Sequence, residues 1–99
     1  MQTHFLEIVL QEVDLRSAGS AEIQNALNQA LGEVGVGEVT GGSSGGGEIG
    51  IEVVVVDLDK GLTIIRSVLQ GLGVAGTTAI DQYEQQGNEQ KRIRHLLYE

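Results

Sequence analysis

The 99 residues fit one domain; they include 15 Gly, no Pro, Cys or Trp, three aromatics (Phe5, Tyr83, Tyr98) and a formal charge of −8. Without Cys there is no disulfide framework, Cys-ligated zinc, iron–sulfur centre or thiol catalysis, and the acidic balance argues against nucleic acid as a partner, because phosphate-backbone binding needs Lys and Arg. The longest apolar run is about Val53–Val56, too short for a membrane helix, and Met1-Gln2-Thr3-His4 lacks the plan of a signal peptide, so a soluble, cytoplasmic protein is expected.

Residues His4–Val13 alternate: Leu6, Ile8 and Leu10 point one way, and Phe5, Glu7, Val9, Gln11 and Val13 the other. Period two over this length predicts a half-buried strand. A turn over Asp14–Gly19 follows, with Ser20 placed to cap a helix. Ile23, Leu27, Ala30, Leu31 and Val34 recur at helical spacing, so a helix is expected over about Ala21–Glu33, with Gly32 and Gly35 as stop signals. Val36–Thr40 reads as a short strand, and Gly41–Gly47 as a flexible, glycine-rich hairpin loop.

Glu48–Val56 predicts another strand. Ile49, Ile51, Val53 and Val55 form its more apolar face, and Glu48, Gly50, Glu52, Val54 and Val56 the other. Asp57 or Asp59 can cap a second helix over about Lys60–Leu72, with Leu62, Ile65, Val68, Leu69 and Leu72 as its apolar stripe and Gly73 as its stop. Thr77–Glu84 reads as a strand. The tail has two readings: Gln86-Gly87-Asn88 turning a hairpin into a last strand, Lys91–Tyr98, or Asn88 capping a short helix. The hairpin is preferred, because the preceding strand otherwise lacks a nearby C-terminal partner.

The element order is β-α-β-β-α-β plus a terminal strand, a split βαβ repeat. It resembles the ferredoxin-like superfold, an α+β sandwich with both helices on one face of an antiparallel sheet, and the resemblance rests on element order. It implies no function, because that superfold hosts many.

Few residues point to catalysis. Gly45, Gly47 and Gly50 satisfy G-x-G-x-x-G literally, but a strand follows where a dinucleotide site needs a helix. Glu48 and Glu52 share a strand face at a spacing of about 13 Å, too wide to share one proton or one metal ion. Asp57 and Asp59 read as helix-capping acids. His4 and His95 are expected at solvated edges; they approach each other only if the first and last strands are neighbours. None of the five serines lies in a nucleophile motif. Arg16, in the position an acylphosphatase phosphate loop uses, has only Ser17-Ala18-Gly19 beside it. No catalytic residue, cofactor or metal is expected.

Charge and patterning give the functional expectation. Residues 1–90 hold 13 acidic and three basic residues, whereas the last nine hold Lys91, Arg92 and Arg94 against Glu99. The sheet face away from the helices combines Phe5, Val9 and Val54 with Glu7, Glu48 and Glu52, and exposed apolar patches of this kind mark interfaces. This set is the candidate partner-binding face of a small acidic interaction module. A bacterial immunity or inhibitor protein that neutralises a basic partner is its concrete form. The alternative is a small-molecule-binding regulatory domain similar in layout to ACT domains, a homodimer whose Gly41–Gly47 loop closes on a ligand. An enzyme of the dimeric ferredoxin-like kind is a weaker third reading, because a pocket here has almost no aromatics.

Overall fold

A computed structural model describes residues 3–11, 20–73 and 78–96. Among these described residues, five strands and two helices follow in the order β1 (His4–Gln11), α1 (Ser20–Val34), β2 (Gly37–Gly45), β3 (Glu48–Val55), α2 (Leu58–Gly71), β4 (Ala79–Gln86) and β5 (Glu89–Leu96). The strands form one sheet in the order β2-β3-β1-β4-β5, and every neighbouring pair is antiparallel. The fold is α+β. Val13, the Asp14–Gly19 turn with Arg16, and Thr77 lie outside the described residues, as does the end of the tail.

Alternation in β1 produces the core. Leu6, Ile8 and Leu10 face Val53, Ile51 and Ile49 across the β1–β3 ladder. Leu6, Ile8, Leu10, Ile51 and Val53, with Val55 and Ile80, join Ile23, Leu27 and Leu31 of α1 and Leu62, Ile65 and Leu69 of α2 in one buried aliphatic cluster, and the half-buried Ile49 packs against it. Each such side chain contributes about 1.5–3 kcal/mol when fully buried. Both helices therefore form around an apolar stripe that the sheet buries.

Local signals fix the ends. At the end of α1, Gly35 adopts φ +69°, and the bonds Val36 N–H to Leu31 O (3.1 Å) and Gly35 N–H to Gly32 O (3.1 Å) close the helix in a Schellman arrangement. Asp57 caps α2 by accepting from the Lys60 N–H at 3.0 Å. The two tight hairpins differ in chemistry. Gly46 and Gly47 both have positive φ (61° and 81°), the requirement of a type I′ turn, whereas the Gly87–Asn88 turn has positive φ at Gly87 alone (62°), the pattern of type II′.

Two expectations are corrected. Gly41–Gly45 is not loop but the second half of β2, paired with β3 from Gly41↔Glu52 to Gly45↔Glu48; only Gly46 and Gly47 turn. The ladder supplied by β3 overrides the poor strand propensity of Gly and Ser. Val56 lies beyond β3, where its N–H donates to Val36 O at 2.8 Å. The condition under which His4 and His95 would approach each other is not met, because β4 separates β1 from β5; His95 Nε2 bonds the buried Gln82 Oε1 at 2.9 Å. Of the two readings of the tail, the strand is the one present, over Glu89–Leu96.

Candidate functional site

The face of the sheet opposite the core carries the candidate residues, and the register fixes who meets whom. From β3 across β1, Val54 lies opposite Phe5, Glu52 opposite Glu7, Gly50 opposite Val9, and Glu48 opposite Gln11. Phe5, Glu7, Val9, Glu48, Glu52 and Val54 thus share one surface, as alternation predicts. Phe5 is 58 % exposed, a large fraction for the only phenylalanine of the chain.

The same rows continue into β4 and β5. Glu7 faces Asp81, which faces Arg94; Phe5 faces Tyr83, which faces Arg92. One row across four strands therefore reads Glu52, Glu7, Asp81, Arg94. Its acids meet different fates. The Asp81 side chain is 2 % exposed and held by Arg94 through two bonds, Nε to Oδ1 at 2.8 Å and Nη2 to Oδ2 at 3.1 Å, with Arg92 Nη1 at 4.0 Å. A bidentate pair of this kind is stronger than a single ionic contact. Its bonds and the Asp81 charge push the Arg94 guanidinium pKa further up from its ordinary value.

Glu7 and Glu52 stand directly opposite each other, an unfavourable arrangement for like charges on neighbouring strands. Tyr83 donates its hydroxyl to Glu7 Oε1 at 3.2 Å. Partial burial, then the Glu7 charge and that hydrogen bond, push the Tyr83 phenol above 10.0; Asp81 adds to the effect and a bond with Arg92 opposes it. Gln11 Nε2 donates to Glu48 Oε2 at 3.1 Å.

Glycines shape where these carboxylates lie. A Cβ at Gly50 would stand 3.1 Å from Glu7 Oε2, and a Cβ at Gly41 would stand 3.1 Å from Glu52 Oε2. Each carboxylate therefore rests over a residue without a side chain. Between Glu7 and Glu52 a hollow of about 320 Å³ opens, bordered by Phe5, Thr40, Tyr83 and Gln90. Two of the three aromatic residues of the protein meet two carboxylates there. Carboxylates supply charge and hydrogen-bond acceptors, and ring faces supply a stacking surface, so the combination suits a Lys or Arg side chain.

Alternation brings the six face residues together but does not mark Thr40 or Asp81, and it leaves Arg94 in a basic tail without naming its partner. Thr40 enters through an irregularity between Val39 and Gly41 that leaves it unpaired in the ladder, its Oγ1 donating to Glu52 O at 3.3 Å. The loop that ligand closure required is paired strand over Gly41–Gly45. Among the described residues, no group of three or more His, Cys, Asp or Glu is placed to hold a metal ion, and no helix is long and apolar enough to cross a membrane. No protein-family model, curated protein or solved structure matches the chain.

Proposed function

We propose that this protein is an acidic protein-interaction module that binds a basic partner through the sheet face opposite the core, and that it works by binding rather than catalysis. The observation that carries this reading is the hollow between Glu7 and Glu52, with Phe5 and Tyr83 at its border. The like-charge pair Glu7↔Glu52 costs the isolated domain about 0.2–1 kcal/mol, and a partner's cation relieves that cost on binding. An inhibitor that neutralises a basic protein, as a bacterial immunity protein does, is the concrete form. Electrostatic steering by the −8 charge supports fast capture of such a partner.

The layout supports the ferredoxin-like resemblance as a proposal too. With β5 set aside, β1 and β3 occupy the centre of the sheet and β2 and β4 flank them, which is how two interleaved βαβ units place their strands. The apolar stripes of both helices meet the same set of sheet residues, consistent with two helices on one face.

An NMR titration with an oligoarginine peptide tests the binding reading. Shifts centred on Phe5, Glu7, Glu52 and Tyr83 that fade with added salt are expected. Charge reversal at Glu48 and Glu52 together should abolish the binding; unchanged affinity in that variant removes this face as the site.

A further inference from the structure

β2 is the outermost strand, and among the described residues no strand pairs with its far side. Gly45 and Glu48 close a two-residue turn and form a hydrogen-bonded pair, so antiparallel alternation turns the backbone groups of Ser44 and Gly42 outward. Further along the strand, the Val39 N–H is taken by Asn28 Oδ1 of α1 at 3.1 Å. From Thr40 to Gly47 the edge carries no charge and no side chain larger than threonine. Natural edges are commonly guarded by charge, and β5 follows that rule with Lys91, Arg92 and Arg94. β2 does not.

Two hollows flank the open stretch. On the core side, one of about 420 Å³ lies among Gln24, Gly42, Ser43, Ser44 and Ile49. On the opposite side, one of about 310 Å³ lies among Glu7, Ser43, Ser44, Glu48 and Gly50. A strand added to β2 sends successive side chains to opposite faces, so the hollows receive alternate side chains, and such pockets give specificity to strand addition. The second hollow is acidic. Beside it the Glu52 carboxylate leans over Gly41, one strand spacing of about 4.8 Å from where an added strand would run.

We propose that the outer edge of β2 takes up an extended peptide segment of a partner protein as a sixth strand, with Lys or Arg at alternate positions answering Glu48 and Glu52. This deepens the protein-binding reading, and it rests on that reading only for the sign of the partner's charge. Main-chain bonds to Gly42 and Ser44 supply the docking, and the acids select the side chains.

The test is amide hydrogen exchange followed by NMR with the synthetic peptide Thr-Lys-Val-Lys-Val-Lys-Thr, and with its glutamate counterpart as control. The lysine peptide slows exchange at Gly42 and Ser44 about tenfold or more, and the glutamate peptide does not. Glu52→Gln weakens binding about three- to fivefold, the size of one partly exposed ion pair. Ser44→Pro removes the outward N–H at a position where an edge tolerates proline, and it abolishes the protection. A lysine peptide N-methylated at alternate residues fails to bind the native protein, which keeps the test sound if the proline variant does not fold. No slowing at millimolar peptide, or equal binding of the glutamate peptide, overturns the proposal. Concentration-dependent protection of Gly42 and Ser44 without peptide overturns it as well, because a second copy of the chain then fills the edge. Shifts confined to Phe5, Glu7 and Tyr83 overturn the edge proposal and leave the face reading standing.

Discussion

The two halves of the sheet treat the same chemical group in opposite ways. On β4, Asp81 is buried and answered from β5 by Arg94 and Arg92. On β1 and β3, Glu7 and Glu52 face each other, with Glu7 accepting from the Tyr83 hydroxyl and Gln11 donating to the neighbouring Glu48. Two of the tail's basic residues, Arg94 and more distantly Arg92, are therefore turned toward one carboxylate while staying more than half exposed. The half formed by β2, β3 and β1 keeps its acids turned outward. The contrast teaches that net charge is a poor guide to this surface; what matters is which acids already have a partner in the fold.

The largest expected effect breaks both halves at once. Ile8 is fully buried in β1, the strand they share, and Ile8→Ala should cost about 2–5 kcal/mol in chemical denaturation. Next is Arg94→Ala, which leaves the buried Asp81 without its bidentate donor. Its melting temperature should fall by several degrees, and Arg94→Lys should recover only part of the loss, because lysine cannot reproduce the two parallel bonds. A native-like melting temperature for Arg94→Ala would erase the contrast between the halves.

A smaller effect of opposite sign distinguishes the outward half. Glu52→Gln removes the like-charge opposition to Glu7 and should raise stability by about 0.2–1 kcal/mol while weakening oligoarginine binding. A residue that stabilises when its charge is removed, yet is needed for binding, is kept for the partner. The smallest effect is alkaline. The folded Tyr83 pKa lies above its unfolded value, so its contribution is fully present below pH 10.0 and is lost as pH rises through the higher folded value. Tyr83→Phe should flatten that part of the stability profile, as followed by denaturation at stepped alkaline pH.

Much of this fold is legible in the residues. Alternation in His4–Gln11 and Glu48–Val55 marks two strands and their inward faces, and the Leu and Ile spacing with Asp57 and Gly35 marks both helices. The six face residues follow from the same alternation. What alternation does not contain is register: nothing local says that Glu52 stands opposite Glu7, or that Arg94 reaches Asp81, because those pairings are set between distant strands. The glycine stretch misleads for a related reason. Gly and Ser have weak strand preference, so only the partner strand β3 makes Gly41–Gly45 extended. Gln82 is buried beside Ile80 and is satisfied by His95 and by Glu84 at 2.7 Å, a polar contact no periodicity announces.

The extra residue at Thr40 has a consequence for solubility. Deleting it would leave Val39↔Val53 and Gly41↔Glu52 as consecutive pairs, so the ladder would survive with its register intact. The strand would lose the kink and added twist that a bulge imposes. A straight outer stretch without charge, as Gly41–Gly45 would then be, is a template on which copies of a chain can pair. The Thr40 deletion is therefore expected to scatter more light as its concentration rises, and scattering equal to that of the native chain would show that the bulge does not guard this edge.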